Sequence, residues 1–436
     1  MRVGLYTLGC KVSQYETEAI AEEFSRRGLE VVPYEDVADA YVINTCTVTQ
    51  ESDRKSRQII RRAITRNPSA VIAVVGCYSQ RDSEGVLAIP GVDIVLGTDG
   101  KLGVVDRVIE RLERGRGGSF VSISDLSRVG FEPMCVTGAP RTRAYVKIED
   151  GCECKCTYCA IADARGRVRS KAREDVIREV EGQRERGTLE VVLTGIEIGS
   201  YGRDLGGGYD LADLICELDA RRSVRRIRLG SLAPELVGAD FAKKISGTKI
   251  LVPHFHISMQ SGSDSVLRRM KRRYTRDTAL CNIERLRELF PRAQFTSDLM
   301  VGFPGESDAD FALTADFVRR ARLLDSHVFA YSRRKNTPAW SFEGQIPEDI
   351  KRSRSRELSA VQGAVTDSIL EELVLDGEPL ICILESETRG VYTAHSDSYV
   401  EVRAEAERGL SGKLVKIAPV SHKGGIIYGK IIEICK

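Results

Sequence analysis

Short apolar runs alternate with helix-like stretches through the first hundred-odd residues of the chain. The runs are continuously apolar, as in strands buried on both faces, whereas the stretches between them have the spacing of amphipathic helices. The pattern therefore predicts an open, parallel α/β domain. The expected strands are Val3–Thr7, Ala40–Asn44, Val71–Val75 and Ile94–Leu96, and the expected helices are Glu16–Arg27, Asp53–Arg66 and Gly103–Arg114.

A polar, glycine-rich connection at residues 116–142 separates this region from a second one in which the alternation resumes. Six predicted βα units follow one another there, which indicates a complete or partial βα barrel. The expected strands are Ala144–Ile148, Glu190–Thr194, Arg226–Leu229, His254–Ser258, Phe295–Val301 and His327–Tyr331.

The rhythm changes again near Ile369, where short alternating strands predict a small all-β barrel. These strands are expected at Leu380–Leu384, Val391–Thr393, Tyr399–Val402, Leu414–Ile417 and Ile426–Ile432. The predicted fold class is α/β, with an N-terminal open parallel domain, a central βα barrel and a small C-terminal all-β barrel. We place these domains at residues 1–116, 138–368 and 369–436, with a linker at 117–137.

The composition of the 436-residue chain, with 42% hydrophobic residues, is that of a globular protein. We expect a cytoplasmic location, because MRVGLYTLG is not a secretory leader and no apolar run approaches the roughly 18 residues of a membrane span. The net charge of +2 conceals basic runs at Arg165–Arg173, Arg221–Arg228, Arg268–Arg273 and Arg333–Lys335. Such runs are either solvated faces or contacts to a polyanion.

Twelve cysteines in a reducing compartment indicate metal binding or catalysis rather than disulfides. Five of them stand alone and are expected to be small buried side chains. These are Cys135, Cys216, Cys281, Cys382 and Cys435.

Four cysteines crowd into the segment GCECKCTYCAIADARG, directly after the first predicted strand of the barrel. Cys152, Cys156 and Cys159 have the spacing CxxxCxxC. Three thiolates on one loop can bind three irons of a 4Fe-4S cluster and leave the fourth iron open to a ligand. Zinc held by all four cysteines is the alternative, but structural zinc sites usually draw pairs of ligands from two places. We therefore expect Cys154 not to be a ligand.

Three further cysteines each stand just past the carboxyl end of a predicted N-terminal strand. They are Cys10 in TLGCKVSQYETE, Cys46 in INTCTV and Cys77 in VVGCYSQ. In an open parallel sheet those ends lie side by side at the ligand-binding edge. We therefore expect the three thiols to converge and to hold a second 4Fe-4S cluster with an open iron; three independent buried thiols are the alternative.

The loop CTYCAIADARGRVRSK resembles the radical S-adenosylmethionine loop of the methylthiotransferases, and the three N-terminal cysteines resemble the auxiliary-cluster ligands of that family. The resemblance covers nearly the whole chain. It implies that S-adenosylmethionine is chelated by the open iron of one 4Fe-4S cluster and cleaved reductively to a 5'-deoxyadenosyl radical. It also implies that the second cluster holds or supplies the incoming sulfur, and that an external one-electron donor such as flavodoxin or ferredoxin is required.

Four more blocks at predicted strand ends resemble the family: LTGIEIGSYG, RLGSLAPE, HFHISMQSGSD and TSDLMVGFPGE. Active-site residues of βα barrels occupy such ends. The resemblance implies contacts to S-adenosylmethionine from Thr194, Gly195, Ser231, Gln260 and Asp298.

Simpler interpretations remain open for several residues of these blocks. Gly195 can serve only to make a turn, and His254 and His256 are either metal ligands or hydrogen-bonded residues of the barrel interior. Ser307 and Asp310 have the spacing of a helix-capping box. In YSRRKNTPAW, Arg333 is either a contact to product or substrate or a solvated loop side chain, and its segment resembles the family's tyrosine-serine-x-arginine stretch.

The family divides by the acceptor of the methylthio group: isopentenyladenosine in tRNA, threonylcarbamoyladenosine in tRNA, or an aspartate of a ribosomal protein. The segments TLGCKVSQYETEAI and NTCTVTQESDRKSRQ resemble the bacterial threonylcarbamoyladenosine branch. This implies insertion at C2 of N6-threonylcarbamoyladenosine 37, beside the anticodon. The other acceptors remain alternatives within the family, and a non-catalytic metal-dependent RNA-binding protein is the alternative outside it.

The C-terminal barrel resembles the TRAM domain, which implies that tRNA is the partner. Basic residues of its predicted loops are candidates for phosphate contacts, and a splayed loop base is the usual target of sequence-selective RNA recognition. The candidates are Arg389, Arg403, Lys413 and Lys423.

Overall fold

The structure, a computed structural model, describes residues 1–115, 117–138 and 142–435. Arg116, where we place the end of the N-terminal domain, and Lys436, the last residue of the C-terminal domain, lie outside the described residues. No helix in these ranges is both long enough and apolar enough to cross a membrane.

The N-terminal domain is built on a six-stranded parallel sheet in the order β2-β1-β3-β4-β5-β6. Its strands are β1 (Arg2–Thr7), β2 (Glu30–Val32), β3 (Ala40–Thr45), β4 (Val71–Gly76), β5 (Ile94–Leu96) and β6 (Phe120–Ser122), and its helices are α1 (Lys11–Arg26), α2 (Gln50–Arg66), α3 (Cys77–Arg81), α4 (Ser83–Leu87) and α5 (Gly103–Arg114). Every residue of β3 and β4 is buried, because apolar side chains cover both faces of the sheet. The predicted open parallel domain is confirmed.

Two strands of this sheet fall outside the predicted elements. β2 has only three residues, and β6 lies inside the segment that we interpret as a linker. Farther along that segment, Met134 and Val136 are buried against Tyr15 and Ala19 of α1. The segment predicted as a linker therefore packs against the N-terminal domain, because its apolar residues are buried there.

The central domain is a partial βα barrel, as the alternation predicts. Its strands are β7 (Arg143–Lys147), β8 (Glu149–Asp150), β9 (Arg169–Ser170), β10 (Glu190–Thr194), β11 (Arg226–Leu229), β12 (Ser231–Leu232), β13 (His254–Gln260), β14 (Gln294–Val301) and β15 (Asp325–Ala330). Its helices are α6 (Ile161–Arg165), α7 (Arg173–Glu185), α8 (Leu211–Ala220), α9 (Ala239–Ile245), α10 (Asp264–Arg269), α11 (Arg276–Leu289) and α12 (Asp308–Ala321), with 3-10 turns at Ile198–Ser200, Pro234–Leu236 and Pro338–Ser341.

The barrel strands form two parallel sheets, β11-β10-β7 and β12-β13-β14-β15. Gly230 separates β11 from β12 within one stretch of chain, so six consecutive strands form the wall. Among the described residues β15 is not paired with β7, which leaves the barrel open on that side. β8 and β9 form a short antiparallel ribbon on either side of the cysteine loop.

The C-terminal domain is a closed five-stranded barrel in the order β16-β17-β18-β20-β19, as predicted. Its strands are β16 (Leu380–Thr388), β17 (Val391–Ser396), β18 (Glu401–Glu405), β19 (Leu414–Lys423) and β20 (Ile426–Ile434). The 29-residue helix α13 (Glu348–Asp376) leads into it. This helix continues past residue 369, where we place the start of the C-terminal domain, and its residues Ile369 and Leu370 belong to the core of the small barrel.

Candidate active site

The first group of candidate ligands lies at the carboxyl edge of the N-terminal sheet. The ends of β1, β3 and β4 face one another in the parallel register, so the cysteines that follow them, Cys10, Cys46 and Cys77, lie side by side. A Cβ on Gly9 would lie 3.5 Å from Cys46 Sγ, which shows how closely the Cys10 loop passes over Cys46. The structure thus brings these three thiols to one edge.

Gly76 turns the chain from β4 directly into α3, which begins at Cys77. Its φ of +104° lies in the region that L side chains rarely adopt, and an added Cβ would lie 2.5 Å from Asn44 Oδ1 and 2.7 Å from the Thr45 carbonyl oxygen. The sequence needs glycine here because backbone approaches backbone. The close turn places the Cys77 thiol inward.

The three thiols differ in exposure: Cys10 is exposed, Cys46 is half-buried and Cys77 is buried. Burial raises the pKa of Cys46 to about 11 and also raises the pKa of Cys77. Both thiols are therefore protonated at neutral pH in the metal-free chain. Metal binding would have to displace these protons, because the thiolate is the ligand.

The second group lies on the loop between β8 and α6. The backbone N–H of Ile161 donates to Cys159 Sγ at 3.4 Å, and burial raises the pKa of Cys159 to about 11. Cys154 lies beside Cys152, where a hydrogen bond between the two thiols raises the pKa of Cys152 and lowers that of Cys154 to about 7. The structure therefore brings Cys154 into hydrogen-bond contact with Cys152.

Arg272 holds the cysteine loop against the barrel. Its Nη1 donates to Cys156 Sγ at 3.2 Å, its Nη2 donates to the Ser258 carbonyl at 3.0 Å and its Nε donates to the Tyr274 hydroxyl at 2.8 Å. Sequence reasoning missed Arg272, whose only signal was its place in the basic run RRMKRR.

The spacing of the candidate ligands bears on which metal they suit. Among the residues that the structure describes, no three His, Cys, Asp or Glu side chains come together as ligands of a single ion. Each thiolate of an iron-sulfur cluster binds a different iron, so the sulfurs stand farther apart than around one ion.

A buried ion network joins the two groups. Arg165, on α6 just after the cysteine loop, donates from Nε to Cys77 Sγ at 3.2 Å. Its Nη1 lies 2.5 Å from Glu16 Oε1 and 3.2 Å from Asp150 Oδ2. Lys147 Nζ contacts the same two carboxylates at 2.8 Å and 2.7 Å. The N-terminal domain and the cysteine loop of the barrel are thus joined through side chains of both.

The predicted contacts to S-adenosylmethionine lie on neighbouring barrel strands. Thr194 ends β10, Ser231 begins the two-residue strand β12 and Gln260 ends β13. Gln260 has a φ of +70° beside a register shift in β13. Gly195 packs so closely that an added Cβ would lie 2.6 Å from Glu149 Oε2. The close approach is therefore to Glu149, which sequence reasoning did not single out.

Asp298 pairs with histidines on the two neighbouring strands. Its Oδ2 lies 3.1 Å from His256 Nε2 and its Oδ1 lies 3.4 Å from His327 Nδ1, and these contacts hold its pKa well below the ordinary range despite burial. His254 and His256 both contact the hydroxyl of Thr296, at 3.0 Å and 2.9 Å. The two histidines are therefore hydrogen-bonded residues of the barrel interior.

Two further predictions concern local structure. The capping box at α12 is confirmed: Asp310 N donates to Ser307 Oγ at 3.1 Å and Ser307 N donates to Asp310 Oδ2 at 3.0 Å. Arg333 is exposed, donates to the Trp340 carbonyl at 2.7 Å and lies over the Trp340 ring. Its contacts are therefore within its own loop.

The basic runs are not continuous accessible surfaces, so the polyanion interpretation is wrong for several of their members. Arg165, Arg169 and Arg228 are buried in ion pairs with carboxylates, and Arg334 pairs with Asp53 of α2 at 2.6 Å. These arginines join one part of the fold to another. Among the C-terminal candidates Arg389, Lys413 and Lys423 are exposed, whereas Arg403 is half-buried beside Glu401.

The isolated cysteines are less buried than predicted. Cys382 is buried in the core of the C-terminal barrel, but Cys135 and Cys281 are exposed and Cys216 and Cys435 are half-buried. The prediction is wrong for the exposed pair, because residue type alone does not place a cysteine on the inner face of its element.

Comparisons with known proteins agree with this architecture. Residues 2–97 match the uncharacterized protein family UPF0004 and residues 146–318 match the Radical SAM superfamily. The radical S-adenosylmethionine methyltransferase TsrM from Kitasatospora setae has a similar fold, with a TM-score of 0.57 at 14% identity over 90% of this chain and 78% of that one. The fold and the cysteine loop define a radical S-adenosylmethionine protein.

Curated relatives narrow the assignment. The chain is 40% identical to the threonylcarbamoyladenosine tRNA methylthiotransferase MtaB of Bacillus subtilis, over 95% of this chain and 93% of that one. It is 30% identical to the tRNA-2-methylthio-N(6)-dimethylallyladenosine synthase of Desulfitobacterium hafniense, over 97% and 95% of the two chains. The chain belongs to the radical S-adenosylmethionine methylthiotransferase family.

Proposed function

We propose that the protein is a tRNA-modifying enzyme that inserts a methylthio group at C2 of N6-threonylcarbamoyladenosine 37, using S-adenosylmethionine and two 4Fe-4S clusters. The observation that carries the proposal is that Arg165, which follows the barrel cysteine loop on α6, donates to Cys77 Sγ at the edge of the N-terminal sheet, 3.2 Å away. Relatives named as threonylcarbamoyladenosine methylthiotransferases match at 32–40% identity and those named as dimethylallyladenosine synthases at 30–35%. The 40% match, which spans 95% of the chain, is the one that supports the threonylcarbamoyladenosine acceptor.

The donor sets fit these groups. In the proposal Cys152, Cys156 and Cys159 bind the cluster that holds S-adenosylmethionine, while Cys10, Cys46 and Cys77 bind the auxiliary cluster; these six cysteines are its catalytic and metal-binding residues. The first cluster supplies the electron that turns S-adenosylmethionine into a radical source, and the second binds the sulfur to be transferred. Both triads leave one iron without a protein ligand.

Carboxylates near the cysteine loop suit the positive groups of S-adenosylmethionine. Glu197 and Glu235 are close enough to Cys154 to influence its pKa, and burial raises the pKa of Glu197 itself. Their charge complements an ammonium and a sulfonium. Thr194, Gly195, Ser231, Gln260 and Asp298 remain our proposed contacts to S-adenosylmethionine.

The domain assignment follows the proposed chemistry. In this proposal the N-terminal domain, residues 1–116 together with β6 at Phe120–Ser122, carries the auxiliary cluster. Residues 138–368 form the radical S-adenosylmethionine barrel, and 369–436 form a TRAM-like domain that binds tRNA. An external one-electron donor such as flavodoxin or ferredoxin reduces the clusters. The exposed bases Arg389, Lys413 and Lys423 suit phosphate contacts.

Mass spectrometry of tRNA nucleosides tests the substrate. A host lacking its own methylthiotransferases should gain 2-methylthio-N6-threonylcarbamoyladenosine when this chain is expressed. Gain of the isopentenyl analogue alone would overturn the acceptor and leave the reaction class. If neither nucleoside gains the group, the tRNA assignment fails, and the ribosomal protein aspartate becomes the acceptor to examine.

A cysteine variant tests the division of labour between the triads. Cys46→Ala should still form 5'-deoxyadenosine from S-adenosylmethionine but should yield no methylthiolated nucleoside, because only the N-terminal triad is broken. Cys156→Ala is the matched control and should lose both reactions. Full product formation by Cys46→Ala would rule out an auxiliary cluster role for the N-terminal triad.

A further inference from the structure

The ion network between the two triads contains more cations than anions. Its carboxylates are Glu16 and Asp150, and its cations are Lys101, Lys147, Arg165 and Arg169. Each of these side chains is at most 4% exposed. Four cations against two carboxylates leave two positive charges, and counting the neighbouring Glu132 still leaves one.

Buried charge of one sign is costly unless an opposite charge compensates it. One observation indicates that the compensating anion is not among the described side chains. Arg169 Nε and Nη1 have no hydrogen-bond partner in the described part of the chain.

The excess positive charge faces one atom of the N-terminal triad. Arg165 Nε lies 3.2 Å from Cys77 Sγ, while its other nitrogens hold Glu16 and Asp150. A cluster bound by three thiolates is an anion, and it becomes more negative when reduced. The network therefore has the charge and the position to compensate a cluster at Cys77.

We propose that Arg165 is a positioning residue that sets the reduction potential of the auxiliary cluster, through its hydrogen bond to Cys77 Sγ and the net positive charge around it. The inference rests on the proposed auxiliary cluster. Hydrogen bonds to cluster sulfurs and nearby positive charge both stabilise the reduced form and raise the potential. Because Arg165 also contacts Asp150, directly before the other cysteine loop, the same side chain fixes the two triads relative to each other.

The test isolates the auxiliary cluster in the full chain. A parent variant with Cys152, Cys156 and Cys159 replaced by alanine is reconstituted with iron and sulfide under anaerobic conditions, and its midpoint potential is measured by redox titration with electron paramagnetic resonance. In this parent, Arg165→Gln should lower the ratio of reduced to oxidised cluster at a fixed potential about tenfold, which is about 59 mV for a one-electron couple.

Three further variants in the same parent compare how charge and hydrogen bonding contribute to the midpoint potential. Arg165→Lys keeps the charge but loses the Nε–H donor to sulfur, so its shift should be smaller. Lys101→Gln removes charge without touching Cys77 and should also lower the potential. Arg169→Gln removes a charge of the network that contacts Asp150 at 3.4 Å but no cysteine, so it should lower the potential by less than Arg165→Gln does.

The outcomes separate this inference from the function on which it rests. If the parent binds no four-iron cluster, the auxiliary cluster and the inference both fail. If the parent and Arg165→Gln both bind about four irons per chain but share one midpoint potential, the inference alone fails. If Arg165→Gln does not assemble a cluster, Arg165→Lys and Lys101→Gln decide, and unchanged potentials in both overturn the inference.

Discussion

Replacing Glu190 with glutamine should destabilise the central domain strongly. This carboxylate is fully buried at the start of β10, with Arg143 Nε at 2.7 Å, Arg228 Nε at 2.8 Å and Arg226 Nη1 at 3.8 Å. The same arginines reach carbonyl or carboxylate oxygens of the C-terminal barrel, including Ile381 O and Glu385 Oε1. Glu190 is therefore the shared anion of three cations that join two domains.

The magnitude follows from burial. At an effective dielectric constant of about 20, each charge pair with centres about 4 Å apart contributes roughly 4 kcal/mol before desolvation is subtracted. Removing one partner of a buried ion pair leaves uncompensated charge and costs about 3–5 kcal/mol. We expect Glu190→Gln to lose that amount of unfolding free energy.

Glu217→Gln provides the matched control. Glu217 also pairs with two arginines, Arg173 at 2.6 Å and Arg221 at 3.0 Å, but these arginine side chains are 44% and 49% exposed. The hydrogen bond from Arg173 lowers the pKa of Glu217 to about 2. Solvent screening nonetheless limits each such pair to about 0.2–1 kcal/mol. Both variants remove the charge of a glutamate that pairs with arginines, and the two sites differ in how deeply the ion pairs are buried.

Urea unfolding of the metal-free chain, followed by the fluorescence of the single tryptophan, Trp340, measures the difference in the central domain. With a slope near 3 kcal/mol per M, a loss of about 3–5 kcal/mol lowers the urea midpoint by roughly 1–1.7 M. Equal midpoints for Glu190→Gln and Glu217→Gln would refute the reasoning, because burial would then not decide the strength of these ion pairs.

The pH dependence gives a second readout with a definite sign. Arg228 and Arg143 outweigh the effect of burial and lower the pKa of Glu190 below its ordinary value of 4.5. A depressed pKa stabilises the folded state above pH 4.5, and this contribution is lost as the pH falls from 4.5 through the folded-state pKa. The unfolding free energy of the Glu190→Gln variant should therefore fall less than that of the unsubstituted chain as the pH drops below 4.5.

Three other changes have definite expected outcomes. Cys154→Ala should keep the iron content and the cleavage of S-adenosylmethionine, whereas a loss of iron equal to that of Cys156→Ala would make Cys154 a ligand. Gly76→Ala should reduce iron binding by the N-terminal triad, measured in chains without the barrel cysteines, because the added Cβ meets backbone at 2.7 Å and displaces Cys77; full iron binding would contradict this. Ser307→Ala should cost about 1 kcal/mol in urea unfolding through loss of the helix cap and leave iron content unchanged.

The regular elements follow from local patterns in the sequence. β10, β11 and α5 have their predicted bounds: β10 is a mostly apolar run, β11 alternates arginine with an apolar residue and α5 has an amphipathic repeat. β2 and β6 escape prediction because their three residues are mostly exposed and form no buried apolar run, unlike the three residues of β5, which are all apolar and buried. The sequence of the predicted linker does not reveal β6, because this edge strand forms only by pairing with β5, which lies more than 20 residues earlier in the chain.

The convergence of the N-terminal cysteines was predictable because parallel strands align their carboxyl ends. The ion network was not, since Arg165 and Glu16 are 149 residues apart in the chain. The available signal was an acid in an otherwise buried stretch: Tyr15, Glu16 and Ala19 all face inward on α1. A charged residue on an apolar helix face indicates a buried partner but does not identify it.

The long helix α13 makes the two barrels one mechanical unit. Near its start Arg354 contacts Glu306 of the central domain at 2.8 Å, and near its end Leu370 lies in the core of the C-terminal barrel. Its 29 residues span about 44 Å without a break. Inserting a single residue would rotate everything beyond it by about 100° and advance it by about 1.5 Å. The number of residues in this helix therefore sets the orientation of the small barrel relative to the central domain.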